Sequence, residues 1–252
     1  MNLVVIQQYF VLFLFYSFCG WAIETIGEFI KSHKFVNRGF LIGPICPIYG
    51  IGAVLITVLL TRYSEDYFAI FGLSAILCGV LEYFTSYLME KLFKHRWWDY
   101  SNFKFNINGR ICLETIIWFA IAGLGIILVI NPFLQNNIVS KIPDDILGYI
   151  FYFLGTILLV DIVFSFNVMN KIKDISLSVS SQVKDSTEEI SSKIREVILE
   201  KSTAYKRVLE AFPQAFATKI KKTTENINNA TRRTIRKINV AKKKTIRRFK
   251  TK

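Results

Sequence analysis

Four cysteines, Cys19, Cys46, Cys78 and Cys112, occur in the 252 residues, and no two of them form a Cys-x-x-Cys pair. That removes the common zinc and redox spacings and leaves reduced, buried thiols as the reading. No Gly-x-x-x-x-Gly-Lys-[Ser/Thr] run occurs either, so the chain has no phosphate loop with which to bind and hydrolyse ATP by itself. No evident nucleophile is present. Catalytic residues, metal ligands and cofactors are therefore not expected. Acids are missing from the whole stretch after Glu225.

The residues that are present divide unevenly. The chain is 52% apolar and 15% aromatic with a formal net charge of +13, and its mean hydropathy is +0.36. A soluble domain this apolar would be near-neutral, so the charge must be segregated. Residues 1–170 hold 10 Lys/Arg and 11 Asp/Glu, net −1, whereas residues 171–252 hold 22 and 8, net +14. A membrane domain over 1–170 with a basic, largely helical cytoplasmic tail over 171–252 follows. A secreted disulfide scaffold, an ordinary soluble catalytic domain and a wholly disordered chain are excluded.

Five stretches, about 9–30, 40–61, 67–90, 111–131 and 146–169, are apolar and long enough to cross a bilayer. The expected fold is all-α, a polytopic integral membrane protein with five transmembrane helices. A cleaved signal peptide fits the first stretch poorly, because it lacks a basic leader and ends in Glu24 and Glu28. Lys and Arg collect in alternate connections: Lys31, Lys34 and Arg38, then Lys91, Lys94, Arg96, Lys104 and Arg110, then the tail. The positive-inside rule then puts the N-terminus outside and the C-terminus in the cytoplasm of a multi-pass protein of the inner, or cell, membrane.

With that direction, Glu24, Glu82 and Asp161 fall at one depth, and Glu114 in the first turn of the fourth span joins them in the cytoplasmic third. Each acid near the bilayer centre costs about 2.5 to 3.5 kcal/mol, so the group must face one another, a cation or water. Arg38 and Arg110, each at the start of an inward-to-outward span, are the expected partners, because a guanidinium fork binds carboxylate or phosphate through two hydrogen bonds. Gly43, Pro44 and Pro47 are expected to break the start of the second span, either as a packing kink or as the broken helix of a substrate site. The stripes Ser17, Gly20, Glu24, Gly27, Glu28 and Ala75, Gly79, Glu82, Ser86, Glu90 follow helical spacing and predict interhelical faces, with the acids bonding neighbours or lining a site.

The connection 94–108 mixes rings with charge. It reads either as an aromatic belt of Trp97, Trp98 and Tyr100 at headgroup level or as a lid whose Asp99 and His95 touch a proton or headgroup. A Cys-Gly pair precedes both Glu24 and Glu82, which suggests two parallel helical hairpins with the fifth span added.

The blocks Tyr16–Glu24 (YSFCGWAIE), Asn37–Gly50, Leu81-Glu82-Tyr83, Arg96–Ser101 (RWWDYS) and Phe105–Cys112 (FNINGRIC) resemble the CmpB-type ABC-transporter permease family over about residues 9–131. The resemblance implies a polytopic membrane protein of transporter permease type. A Glu-Ala-Ala coupling loop of the importer kind is not in the sequence.

In the tail, apolar residues from Ile172 to Ile198 recur at helical spacing within 171–212, Pro213 interrupts, and a Thr-rich seam follows from Ile220. Residues 232–252 hold 11 Lys/Arg, among them Arg232, Arg233, Lys242, Lys243, Lys244, Arg247 and Arg248. At about 1 kcal/mol per basic residue, part of this run suffices to hold anionic lipid of the inner leaflet. Nucleic acid is the rival ligand, but Phe249 is the lone ring in the run, which argues against base stacking.

These features point first to a transporter permease subunit that takes a small polar or anionic solute, or a lipid headgroup, in a cytoplasm-facing acidic cavity. Its site residues would be Glu24, Arg38, Glu82, Asp99, Arg110, Glu114 and Asp161. The lipid bilayer is one partner, and five helices are few for a transporter, so an ATPase subunit or a homo-oligomer would complete it. The rivals are a scaffold that recruits partners through the basic tail and an enzyme acting on lipid headgroups.

Overall fold

The computed structural model describes residues 2–93, 96–182, 207, 208 and 211. Helix α1, Leu3–Ser32, closes on a left-handed His33 whose N–H returns to the Phe29 carbonyl. Helix α2 is Pro47–Leu60, followed by one 3-10 turn, Thr61–Tyr63. Helix α3 is Tyr67–Phe93. A small antiparallel hairpin, β1 Asn106–Ile107 and β2 Ile111–Cys112, leads into α4, Leu113–Gly125. A π-helical turn, Ile126–Ile130, joins α4 to α5, Asn131–Asn137, and α6 is Asp144–Gln182.

Four helical stretches among the described residues are long and apolar enough to cross a membrane: Leu3–Ser32, Tyr67–Phe93, Leu113–Lys141 and Asp144–Asp174. The fold is thus that of a polytopic helical membrane protein. The second expected span differs, because only Pro47–Tyr63 is helical there. At about 1.5 Å per residue that helix is roughly 25 Å long, short of a hydrocarbon core of about 30 Å. The chain before Pro47 is irregular from residue 33 to 46. Proline lacks the N–H that would continue a helix but fits its first position, where that N–H has no helical partner anyway.

Two other boundaries move for physical reasons. The fourth helix continues past 131 although Pro132 interrupts it, because the π-turn just before the proline loosens the hydrogen-bond pattern. Helix α6 runs through residue 170 without a break, so the last span and the first turns of the tail form one rod.

Helix α1 packs on α2 and α3 on α4, giving two antiparallel hairpins that meet through α2 and α3, while α6 lies against α1. Leu12, Tyr16, Ile56, Ile70, Ile126 and Leu134 form the core between them. The hairpins close tightly where side chains are small: a β-carbon on Gly50 would collide with Ser17, and one on Gly20 with the ring of Tyr49. Gly27 departs from the expected stripe, since nothing stands within 4 Å of its missing β-carbon. Ile23, Ile30, Ile76, Val80, Val160 and Val163 are exposed and form apolar outer faces of the kind a lipid surround requires.

Candidate functional site

At the polar end of the first hairpin, Glu24 accepts a hydrogen bond from the Tyr49 hydroxyl at 2.6 Å. The Tyr49 ring can lie against α1 because residue 20 is glycine. Arg38 stands over the same helix, 3.5 Å from Glu28 and 4.0 Å from Glu24. Asn37 fixes the approach to this arginine: its Oδ1 accepts from the Trp21 indole at 2.8 Å and the Gly39 amide at 3.0 Å, and its Nδ2 donates to the Ile42 carbonyl at 2.9 Å. The Glu24 side chain is 39% exposed.

The second hairpin repeats the plan with different partners. Glu82 is 6% exposed and accepts from the hydroxyls of Tyr100, at 3.1 Å, and Thr115, at 3.3 Å. Among the described residues no cation pairs with it. The cations stand about two turns further along α3, where Glu90 Oε2 receives Arg110 at 2.8 Å and Arg96 at 3.3 Å. Arg110 also donates to Ser86 and lies over the rings of Tyr83 and Tyr87. Asn108 and Gly109 place it there: both have positive φ, 53° and 66°, and the Arg110 amide closes the turn on the Ile107 carbonyl.

The connection between α3 and β1 folds back over this carboxylate. Trp97 is buried against Phe40 and Phe93, which in turn pack on Phe166, an interior position rather than one in a headgroup belt. Trp98 donates to the Arg110 carbonyl at 3.0 Å. Tyr100 reaches Glu82, and its hydroxyl pKa is raised above the ordinary tyrosine range by burial, then by the Glu82 carboxylate and its hydrogen bond, and further by Glu24. Asp99 turns the other way: burial pushes its pKa up, but the Ser101 hydroxyl and amide and the Arg96 guanidinium outweigh this and hold it below the ordinary carboxylate range. Lys94 and His95 lie outside the described residues.

Asp161 has partners other than those of Glu24 and Glu82. Asp161 accepts from the backbone amides of Ile42 and Gly43, at 2.9 and 2.8 Å, and from Ser165 at 3.0 Å. It thereby satisfies the irregular chain around Gly43 and the exposed Pro44, just before α2 starts at Pro47. Glu114 is exposed in the first turn of α4, where an acid suits the helix dipole, and it makes no ion pair among the described residues. The arginines expected to meet an anionic ligand, Arg38 and Arg110, are both engaged by carboxylates. No three His, Cys, Asp or Glu side chains among the described residues gather closely enough to hold a metal ion.

A family model described as "Putative ABC-transporter type IV" matches residues 11–166. The chain belongs to that family. No curated protein and no solved structure matches it. The family region takes in both hairpins and Asp161 and stops short of the tail, so Glu24, Arg38, Glu82, Asp99, Arg110 and Glu114 all lie in the part of the chain that makes it an ABC-transporter-related membrane protein. The bilayer is accordingly its surround, and an ATPase partner is consistent with the family.

Several residues that bond to the acids or to the chain before α2 carry no periodic signal. Tyr49 and Thr115 are single hydroxyl residues in the first turns of their helices, and only the small partner Gly20 and the hairpin geometry reveal them. Arg207 is one cation among the 22 Lys/Arg of the tail, and no local pattern marks it. Arg232, Arg233, Lys242, Lys243, Lys244, Arg247 and Arg248, expected to bind membrane, lie outside the described residues, as does most of the helix expected over 171–212.

Proposed function

We propose that this protein is the membrane subunit of a transport assembly that takes a small polar solute or a lipid headgroup at the cytoplasmic end of its two hairpins. The observation that carries the reading is the setting of Glu82: a buried carboxyl held by two hydroxyls, with no cation on it among the described residues, while Glu24 on the first hairpin is the more accessible acid. Such a carboxyl is suited to exchanging a proton or binding a cationic group, whereas Glu90, Asp99 and Asp161 are each taken up by arginines or backbone amides. An anionic ligand would have to draw Arg38 or Arg110 away from its carboxylates. The orientation that goes with this reading, N-terminus outside and C-terminus in the cytoplasm of the cell membrane, rests on the Lys/Arg asymmetry and on α2 completing a fifth crossing with the irregular chain before it.

Gentle solubilisation of the full chain from its native membrane, followed by mass spectrometry of what co-purifies, tests the assembly. A stoichiometric ATPase subunit is the expected result. Recovery of the chain with phospholipid and copies of itself alone would contradict it.

A further inference from the structure

The irregular chain before α2 is held from two sides, and only one of them belongs to the membrane helices. Asp161 takes the amides of Ile42 and Gly43. The carbonyl groups of Phe40, Leu41 and Ile42 converge instead on one guanidinium in the basic tail, that of Arg207. Its Nη2 donates to Phe40 at 3.2 Å, and its Nη1 donates to Leu41 and, at 3.4 Å, to Ile42. The neighbouring tail residues are seated too: Val208 is 3% and Ala211 1% exposed, and the Ala211 carbonyl accepts from Arg38 at 2.8 Å. The Asp161 carboxylate, held on the Ile42 and Gly43 amides, lies on the same stretch of chain as the three carbonyls; burial lowers the Arg207 pKa and this carboxylate acts in the opposite sense.

Backbone carbonyls freed by a helix break can replace water around a cation, and a nearby carboxylate strengthens such a cradle. The occupant here is a planar group with N–H donors on two edges, which matches acceptors spread along three consecutive residues. We propose that this cradle is a binding site for a ligand bearing a guanidinium or primary ammonium group, and that Arg207 is its tethered occupant, closing the site until a ligand displaces it. The inference rests on the solute or headgroup reading above and narrows the ligand to a cationic hydrogen-bond donor. Displacement would also release Ala211 from Arg38, so the arginine beside Glu24 and Glu28 responds to occupancy of the cradle.

The donor could be a dissolved solute or the ammonium of a lipid headgroup, and one experiment separates them. The full chain, with Cys19, Cys46, Cys78 and Cys112 replaced by serine and with Val208→Cys added, is placed in phosphatidylcholine nanodiscs and its maleimide labelling rate measured. With Arg207 seated, labelling is slow. Methylguanidinium should raise the rate about tenfold and saturably, while tetramethylammonium, which has no N–H, should not. Acceleration on replacing part of the phosphatidylcholine with phosphatidylethanolamine assigns the donor to a headgroup. Acceleration by methylguanidinium alone assigns it to a free solute. Arg207→Gln should label fast without ligand and Arg207→Lys at an intermediate rate; if either variant fails to fold, the titration against intact Arg207 decides alone. Fast labelling with Arg207 intact, or no response to either donor, overturns the proposal. The readout does not involve Glu24 or Glu82, so it can fail while their proposed role stands, and the reverse.

Discussion

Asp161 in the last helix holds Ile42 and Gly43, 119 and 118 residues earlier, through hydrogen bonds from two consecutive backbone amides. A helix begun late leaves backbone groups that apolar surroundings cannot satisfy, so a charge placed at this depth is the local remedy. The acid that sequence position groups with Glu24 and Glu82 therefore has a different task. It fixes the shape of the chain leading into α2, and through that chain the position of Arg38.

Replacing Asp161 should cost stability in proportion to the acceptors lost. Hydrogen bonds to a charged group are worth about 1.5 to 3 kcal/mol each, so Asp161→Ala is expected to destabilise by roughly 3 kcal/mol or more and Asp161→Asn, which keeps one acceptor, by about half. Thermal unfolding of the full chain in detergent checks the order. Equal midpoints for wild type and both variants would remove the clamp from the account.

Gly20 and Gly27 lie on the same helix and should respond oppositely to alanine. At Gly20 the added carbon meets the Tyr49 ring, so Gly20→Ala should destabilise by about 1 to 3 kcal/mol and displace the Tyr49 hydroxyl from Glu24. At Gly27 the space is open, and Gly27→Ala should be neutral or stabilising by up to about 1 kcal/mol. The same unfolding measurement separates the two.

The fold of the α3–β1 connection should depend on acid pH. The folded Asp99 carboxyl has a pKa below its ordinary value of about 3.9, so its ionised form favours the folded connection. That contribution is complete above the ordinary value and is lost as pH falls through the folded one. Protease cleavage within 99–105 is expected to accelerate below about pH 4 in the wild type, and Asp99→Asn should show no such pH step over that range. A step unchanged in Asp99→Asn would assign it to another group.

The membrane class and the two-hairpin plan were legible because apolar length and small-residue spacing are local signals, as the Gly20 and Gly50 contacts illustrate. The acids and arginines could be picked out singly, since each is costly within a span, but their partners could not. Depth counting puts Asp161 level with Glu24, yet depth along a helix does not fix the side it faces, and Asp161 faces the chain around Gly43. Glu114 was grouped by the same count although the first turn of α4 turns it outward. Trp97 reads as an interfacial ring from its charged neighbours, whereas Phe40, distant in sequence, packs on it together with Phe93, one turn earlier. Apolar composition continues through Phe40–Cys46, but helix α2 starts only at Pro47, so the stretch over 40–61 is helical in its later part alone.

The account turns on Glu82 as the carboxyl that exchanges a proton or cationic group. Dicyclohexylcarbodiimide, which modifies carboxylic acids in apolar surroundings, can be applied to membranes containing the full chain, and the modified peptide mapped by mass spectrometry. The account predicts an adduct on Glu82, absent from Glu82→Gln, with Glu90 and Asp161 unmodified. Modification of Glu90 or Asp161 with Glu82 untouched, or no adduct at all, would contradict it.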